Sequence, residues 1–310
     1  MQPQRMASCT ALLALGLALA GCGLGTPGRE PRGTLAFEVE EAGNTDIYVM
    51  DLDGRHRTNL TNHPAWDGTP AWSPDGSQIV FASDRAGSPD LYLMRADGSD
   101  LRRLTDWDGV EIMPAWSPDG STIAFATDRI YQEQREGGVV TVEASLEIWV
   151  IRADGTSPRR ITGDPNDVGI YPAWSSDGRK ILYQNISTRS DLIAVDLVSR
   201  IPRNLTEGLA SANWSPACSP QRNRVLFMGD DGENKEIFRM EGTGGTPVNL
   251  THHPASDADP AWSPDGQWVA FVSDRTGTPQ IFVMDAEGGN LRQITHEAAA
   301  HARPAWRPVR

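Results

Sequence analysis

A seven-residue segment recurs along the chain and constrains its fold more than any other feature. Four copies read Pro-Ala-Trp-Ser-Pro-Asp-Gly or Pro-Ala-Trp-Ser-Ser-Asp-Gly, and two partial copies read Pro-Ala-Cys-Ser-Pro and Pro-Ala-Trp-Arg-Pro. These six copies begin at Pro70, Pro114, Pro172, Pro216, Pro260 and Pro304, which we call the marker prolines. Successive copies lie 44 residues apart, except for one interval of 58. A fixed period of this length indicates one structural unit copied around an array.

Each repeat contains four short strand-like segments that are separated by turn sequences. In the copy that starts at Pro70, apolar or alternating segments at 70–73, 78–83, 90–94 and 101–105 are separated by turn sequences. In the turn Pro74-Asp75-Gly76 the proline presets φ and the glycine supplies a positive φ, and Ala96-Asp97-Gly98 ends the third strand. Four short antiparallel strands per repeat are typical of a propeller blade, so the sequence predicts an all-β fold.

The two ends of the repeat region complement each other. Residues 34–61 carry the outer strands of a blade but lack the Pro-Ala-Trp strand, and residues 304–308 carry that strand alone. Together they make one blade, which brings the total to six. We therefore predict a six-bladed β-propeller closed by pairing the C-terminal inner strand with the N-terminal outer strands, so that no blade edge stays open.

The repeat resembles that of TolB-type β-propellers. The resemblance rests on Pro-Ala-Trp-Ser-Pro-Asp-Gly, an apolar strand, Ser-Asp-Arg, a strand like Ile-Tyr-Val-Met, Asp-Gly and Leu-Thr, and it spans Thr34 to Pro308. The combined Gly-His…Trp-Asp signature of WD repeats is absent. TolB itself carries an N-terminal α/β domain, whereas we expect only a short tether here. The resemblance implies a propeller whose channel mouth binds a protein partner.

The N-terminal residues have the pattern of a bacterial lipoprotein signal. Arg5 precedes an apolar run at 11–20 that is too short to span a bilayer. The run ends in Leu19-Ala20-Gly21-Cys22, which resembles a lipobox. We therefore expect a signal peptide at 1–21, a lipidated Cys22 with a flexible tether over 22–33, and the propeller at 34–310. An ordinary signal peptide with a chance cysteine is the alternative. Either implies an extracytoplasmic location, and lipidation adds membrane anchoring.

Charge and cysteine content narrow the class of partner. The formal net charge is −13, which argues against binding a phosphate backbone, so we expect no nucleic-acid partner. Of the three cysteines, Cys9 leaves with the signal and Cys22 would carry lipid, so no disulfide is expected within the mature chain. Cys218 stands where the other copies have tryptophan, which indicates a buried apolar substitute rather than a reactive thiol.

A candidate site follows from the loops that enter the inner strands. Three residues before each marker proline the copies differ, and variation on a regular scaffold is where function is expected. The residues at these entry positions are Asp67, Glu111, Gly169, Asn213, Asp257 and His301. Asp67, Glu111 and Asp257 are predicted to converge on one mouth of the central channel, where they would contact a partner's loop or terminus. The alternative is that these side chains cap strand starts or lie in water.

Two further features bear on this mouth. An insertion near 130–145, with Tyr131 at its start, explains the interval of 58 and is predicted to extend a hairpin beside the mouth, although a neutral loop insertion is an equal alternative. Five histidines fall in entry loops, at His63, His252, His253, His296 and His301. With nearby acids they would allow a channel-bound cation, but the spacing matches no known ligand pattern.

The sequence favours a binding scaffold over an enzyme. No Gly-x-Ser-x-Gly nucleophile elbow occurs, so the sequence gives no sign of the hydrolase that accompanies some propellers. We therefore predict a monomeric, lipid-anchored, extracytoplasmic propeller that binds an envelope protein or peptide through Asp67, Glu111, Asp257, Asn213, His301 and Tyr131, without a cofactor. The alternative is a lyase or hydrolase that processes a small molecule or sugar at the same mouth.

Overall fold

A computed structural model of the chain describes residues 30–308, apart from 130, 136–137, 143–144, 164–166, 188, 210–211 and 231. The side chains of 131–142 are also outside the description. The expectations for the signal peptide, Cys22 and most of the tether therefore lie outside the described residues. The propeller occupies the compact unit Arg32–Arg310, whose first strand begins at Thr34. Within the described residues, no helix is long and apolar enough to cross a membrane.

Six four-stranded antiparallel sheets form the blades. Blade 1 contains β26 (Ala300–Trp306), β1 (Thr34–Glu41), β2 (Asn44–Asp51) and β3 (Thr58–Asn59). Blade 2 contains β4 (Asp67–Trp72), β5 (Gln78–Ser83), β6 (Asp90–Arg95) and β7 (Arg102–Arg103). Blade 3 contains β8 (Glu111–Trp116), β9 (Thr122–Thr127), β12 (Glu147–Arg152) and β13 (Arg159–Arg160).

The remaining blades repeat the same order from inner to outer strand. Blade 4 contains β14 (Gly169–Trp174), β15 (Lys180–Asn185), β16 (Asp191–Asp196) and β17 (Pro202–Asn204). Blade 5 contains β18 (Asn213–Cys218), β19 (Arg224–Asp230), β20 (Lys235–Glu241) and β21 (Val248–Asn249). Blade 6 contains β22 (Asp257–Trp262), β23 (Trp268–Ser273), β24 (Gln280–Asp285) and β25 (Arg292–Gln293).

The predicted ring closure is confirmed in blade 1. Strand β26 pairs antiparallel with β1, so that Trp306 lies opposite Leu35 and Ala300 opposite Glu40. The last described strand therefore supplies the inner strand of the sheet that the first three strands begin. All six inner strands run in the same direction along the channel. One end of the channel is thus formed by their first residues, and the opposite end by the Asp-Gly turns that follow them.

The insertion near residue 130 forms its own hairpin. Strands β10 (Tyr131–Arg135) and β11 (Gly138–Val142) pair antiparallel between β9 and β12 of blade 3. The insertion is therefore a hairpin in its own two-stranded sheet and not a continuation of the β9–β12 pairing, and its place beside the mouth stays a prediction. The contact of Tyr131 with a partner stays a prediction, because its side chain lies outside the described residues.

The core lies between neighbouring blades. The second strand of each blade is buried on both faces, which explains why these strands read as continuous apolar runs. Val80 and Leu91 of blade 2, for example, pack in one cluster with Ile123 and Phe125 of blade 3. Each interface thus holds two blades against each other, and the closed ring positions the inner strands around the channel.

Marker tryptophans link successive inner strands. The indole Nε1 of Trp174, Trp262 and Trp306 donates to the carbonyl oxygen of Ala115, Ala217 and Ala261 in the preceding blade, in each case at 3.1 Å. Cys218 occupies the same position in blade 5 and has no indole to donate. Burial raises the pKa of its thiol to about 12. Cys218 is half-buried, so the prediction of a buried side chain holds only in part, while the raised pKa agrees with an unreactive thiol.

Candidate functional site

The entry residues lie inside the blades and do not line an open mouth. Asp67, Glu111, Asn213 and Asp257 have no exposed surface, and His301 has 1%. Each of these residues lies in an inner strand, opposite or next to the end of the second strand of its blade, and is covered by that blade and its neighbour. The prediction that three of their carboxylates converge as an exposed rim is therefore wrong for this conformation. That this end of the ring binds a partner stays a prediction.

Two of the entry acids form buried ion pairs within their own blades. Arg85 donates to Asp67 Oδ1 at 2.7 Å, and Arg275 donates to both carboxylate oxygens of Asp257 at 3.0 and 2.9 Å. The guanidinium of each arginine also lies over aromatic rings of its blade, as that of Arg275 does over Phe282. These pairs come from the Ser-Asp-Arg motif, with the arginine 18 residues after the acid. They attach the loop after the second strand to the start of the inner strand.

Glu111 is the third entry acid and has a different environment. The hydroxyl of Thr127 donates to its Oε1 at 2.9 Å, and Arg129 follows in the Thr-Asp-Arg motif. Burial, reinforced by the nearby Asp90 carboxylate, raises the pKa of Glu111 to about 7. A carboxyl with such a pKa is a candidate general acid or base. With no exposed surface, however, it cannot contact a substrate, and a lyase or hydrolase function stays a prediction.

The other entry positions complete the same structural layer. A side chain at Gly169 would meet Ile148 and Tyr183, so this position has no room for one. His301 packs against Phe37, with ring centroids 5.6 Å apart, and burial lowers its pKa. The packing within each blade therefore determines which residue type occupies its entry position.

The loop histidines also serve local structure. His63 Nδ1 accepts the backbone N–H of Ala65, and His253 Nδ1 accepts that of Ala255, which makes the same turn in two blades. Among the residues that the structure describes, no group of three or more histidine, cysteine, aspartate or glutamate side chains is arranged to hold a metal ion.

A β-bulge in every inner strand determines which side chains face the channel. In blade 2, Gly68 lies opposite Ala82 and Ala71 opposite Val80, so that Thr69 and Pro70 together face one residue of β5. The same register shift occurs in all six blades. The residue before each marker proline consequently adopts a left-handed backbone, with φ between 47° and 56°. These ring residues are Thr69, Met113, Tyr171, Ser215, Asp259 and Arg303.

The ring residues and the marker prolines together enclose a chamber. Its volume is about 150 Å³ and its lining alternates one variable side chain with one proline from each blade. The backbone is the same in every blade, whereas the six side chains differ in size, polarity and charge. Left-handed conformations at residues other than glycine cost about 1–2 kcal/mol each and cluster at functional sites. The chamber, rather than the entry positions, is the part of the channel with six distinct side chains.

An ion pair crosses from the chamber wall into the blades. Arg303 Nη1 donates to both carboxylate oxygens of Glu38, at 3.0 and 2.8 Å, and Glu38 also accepts the backbone N–H of Thr69. Glu38 stands where the second strands of blades 2 and 3 have alanine, at Ala82 and Ala126. Its carboxylate is buried, and this burial raises its pKa despite the pairing with Arg303. A side chain at Gly68 would collide with the Trp66 ring and with Glu38 Oε1, so this glycine makes room for both.

Asp259 is the acidic member of the ring. Its carboxylate is surrounded by protein, which raises its pKa, but part of its surface faces the chamber. Arg303 opposes this shift through its charge and through its backbone N–H, which donates to Asp259 Oδ2 at 3.3 Å. The sequence interpretation does not include Asp259 and Arg303, because it places the residue three positions before each marker proline at the channel, whereas the residue directly before the proline faces it.

A wider vestibule opens at the opposite end of the channel. It has a volume of about 650 Å³ and begins at the marker prolines, several of which also line the chamber. Four marker tryptophans line it, together with Cys218 and the segment Ser219-Pro220-Gln221. The two ends of the channel therefore differ in width and charge: the narrow chamber near the entry loops has Asp259 and Arg303 in its lining, whereas the wide vestibule at the turns has no charged side chain among the described residues that line it.

Comparison with known proteins agrees with this architecture. The model of the TolB β-propeller domain family matches residues 22–136 and 124–309. TolB from Acinetobacter baumannii superposes with a TM-score of 0.73 at 20% identity, over 89% of this chain and 67% of that one. For a TolB-like protein from Agrobacterium tumefaciens the TM-score is 0.69 at 21% identity, over 88% and 92% of the two chains.

A propeller that is named as an enzyme is also similar in structure. Oligogalacturonate lyase from Vibrio parahaemolyticus superposes with a TM-score of 0.53 at 16% identity, over 86% of this chain and 72% of that one. At such identities the superpositions establish the fold alone. The family match, which spans both halves of the propeller, establishes more: the chain belongs to the TolB β-propeller domain family.

Proposed function

We propose that this protein is a lipid-anchored, extracytoplasmic propeller that binds a protein or peptide partner in the cell envelope. The family match supports a binding scaffold, and Leu19-Ala20-Gly21-Cys22 at the end of an apolar segment supports export and lipidation. A lipidated terminus with two or more acyl chains would hold the propeller at a membrane. The scaffold would then present the channel end that carries the entry loops.

One observation carries the choice of binding surface. Six inner strands with the same bulge project six different side chains into one chamber. The entry positions vary as well, but their side chains are buried within the blades, whereas the varied ring side chains line an open chamber. Diversity at a repeated, strained backbone position supports recognition of a specific ligand group that enters the channel from the entry-loop end.

A single substitution tests this assignment without disturbing the backbone. Ser215→Arg would fill the chamber from blade 5, and the left-handed backbone there accepts arginine because Arg303 occupies the equivalent position in blade 1 at the same φ of 47°. Ser199→Arg is the matched control, since Ser199 is exposed on a turn at the other end of the channel. Both variants add one positive charge.

Residues 23–310 of each variant would be immobilised and used to capture solubilised envelope proteins. We expect a protein that is captured by the wild type and by Ser199→Arg to be lost with Ser215→Arg, and the purified protein to rebind with the same preference. If both variants capture it equally, the partner does not use the chamber. If no envelope protein binds to the wild type, the scaffold function itself is wrong.

Lipid anchoring has a separate test. The full-length chain and a Cys22→Ser variant would be expressed in a bacterial host, and detergent-phase partitioning and the mass of the mature N-terminus would be measured. We expect the wild type to partition with detergent and carry acyl chains on Cys22, and the variant to do neither. An unmodified Cys22 would show that the segment is an ordinary signal peptide.

A further inference from the structure

The charges around the chamber do not balance. Its lining contains one carboxylate, that of Asp259, and one guanidinium, that of Arg303. Arg303 already pairs with both oxygens of the buried Glu38. Two carboxylates thus share one guanidinium. Lys235 is the other cation that acts on Asp259, and its side chain is exposed at the start of β20, where water screens it. When both carboxylates are ionised, the cluster has one negative charge in excess. Burial raises the pKa of Asp259, and a cation bound beside this carboxyl would favour its ionised form.

Asp259 also has capacity to accept further hydrogen bonds. Among the described residues, the only donor to its carboxylate is the backbone N–H of Arg303, at 3.3 Å. An ionised carboxylate offers about four acceptor positions. Since part of the Asp259 surface faces the chamber, a ligand in the chamber can reach these positions directly.

Hydroxyl groups surround the remaining space. Thr69, Tyr171 and Ser215 line the chamber from blades 2, 4 and 5. Thr69 is 7% exposed, and its Oγ1 has no hydrogen-bond partner within the described part of the chain. A buried hydroxyl without a hydrogen-bond partner destabilises the folded state, because it has lost its hydrogen bonds to water. A ligand that hydrogen-bonds to this hydroxyl replaces the lost interaction. Hydroxyl oxygens accept hydrogen bonds, as the carboxylate does.

The ligand that fits these groups is a small cation with several donors. A primary ammonium group has three donors and no acceptor, which suits one carboxylate and several hydroxyl oxygens. The chamber volume of about 150 Å³ admits the end of a lysine side chain or the first residue of a peptide, and the proline walls suit a methylene stem. An anion would instead meet the carboxylate of Asp259.

We propose that the chamber binds a primary ammonium group of the partner, with Asp259 as its counter-ion and Thr69, Tyr171 and Ser215 as hydrogen-bond acceptors. This inference rests on the proposed function and names the chemistry that the channel recognises. The ammonium group belongs either to a lysine side chain or to a free N-terminus, and the two sources share the same contacts at Asp259.

The test measures binding of small probes to the folded propeller, without the partner. Met113 lines the chamber, so a ¹³C-methyl label on methionine reports its contents by NMR; the Met113→Leu variant assigns the signal. The probes are Nα-acetyl-lysine amide for a side-chain amine and alanine amide for an α-amine. Nα-acetyl-norleucine amide is the neutral control for the stem, at constant ionic strength.

We expect a saturable shift of the Met113 methyl signal with at least one amine probe and none with the norleucine derivative. Asp259→Asn should weaken amine binding by about tenfold or more, because a charge-assisted hydrogen bond is lost. Asp108→Asn is the matched control, since Asp108 is exposed before β8 and loses the same charge. This control should leave binding unchanged.

Several outcomes would overturn the proposal. Equal shifts with the norleucine derivative would mean that the stem, not the charge, is recognised, and no saturable shift would mean that the chamber takes no amine. Both comparisons use the wild type, so they hold even if Asp259→Asn fails to fold. Partner capture that depends on Ser215 without any amine binding would contradict this inference and leave the proposed function standing.

Discussion

Arg303 and Tyr171 meet across the channel, although they belong to blades on opposite sides of the ring. Arg303 Nη2 lies 3.5 Å from the phenolic oxygen of Tyr171, while Nη1 of the same guanidinium is bonded to Glu38 in blade 1. The two side chains therefore bridge blades 1 and 4 at the level of the chamber. A contact of 3.5 Å is long for a hydrogen bond, so the Glu38 pair is the stronger of the two interactions.

The Arg303 interactions predict two unequal effects on stability. Arg303→Met would leave the Glu38 carboxylate buried without its cation, which costs about 3–5 kcal/mol. Tyr171→Phe removes only the long contact and should change the free energy of unfolding by less than about 1 kcal/mol. Urea unfolding of both variants at neutral pH measures the difference. Equal losses would mean that Arg303 is not fixed mainly by Glu38.

The ion pair of Asp257 and Arg275 predicts strong coupling between the two residues. Each single variant, Asp257→Asn or Arg275→Met, leaves a buried charge without its partner and should cost about 3 kcal/mol or more. The double variant removes both charges and should lose less than the sum of the two. A double-mutant cycle by thermal or urea unfolding gives the coupling energy, and additive losses would contradict a buried pair.

Glu111 predicts a pH dependence of stability. Its pKa is about 7 in the folded protein, above the value of 4.5 that a free glutamate has. The folded state therefore holds a proton that the unfolded state has lost, so stability is present below about pH 4.5 and is lost as the pH rises through 7. The total loss from this group is about 3 kcal/mol.

Substitution of Glu111 isolates this contribution. In Glu111→Gln the amide oxygen still accepts the Thr127 hydroxyl, while the titrating group is gone, so the variant should gain stability relative to the wild type between pH 5 and 8. Glu40→Gln, at an exposed position, is the control and should not change the pH profile. Parallel profiles for the wild type and Glu111→Gln would refute the raised pKa.

We predict that the thiol of Cys218 is unreactive in the folded protein, because its pKa is raised. Its pKa of about 12 leaves roughly a thousandfold less thiolate at neutral pH than a free cysteine has, and the thiolate is the reacting form. We expect residues 23–310 to resist iodoacetamide at pH 7.5 and to react fully in denaturant. Mass spectrometry measures both states, and rapid alkylation of the native protein would place Cys218 in a different environment.

The repeat made the fold predictable from the amino-acid sequence. Strand and turn residues recur in six copies, so local propensities that are weak in one blade are reinforced by the others. Residues 34–61 lack the inner strand of a blade, and residues 304–308 carry an inner strand without a blade. Because the lone strand can complete the incomplete blade, the two segments together predicted ring closure. The pairing of β26 with β1 confirms this reasoning.

The site was harder to predict, since side-chain direction in a strand depends on register. Side chains alternate between the two faces of a regular strand, but this rule cannot reveal an extra residue in the strand. The bulge between Gly68 and Ala71 turns Thr69 into the channel, while Asp67 points into the blade. One signal was available in the sequence: an arginine 18 residues after Asp67, Glu111 and Asp257 marks these acids as partners within a blade.

The number of blades, the order of four strands in each blade and the closure of the ring follow from periodic local patterns in the amino-acid sequence. The charge cluster of Glu38, Asp259 and Arg303 follows only from the way the blades pack in three dimensions. These residues lie far apart in the sequence and in two different blades, and no local pattern relates them. Their meeting depends on the bulges and on the curvature of the closed ring, both of which arise from packing between blades.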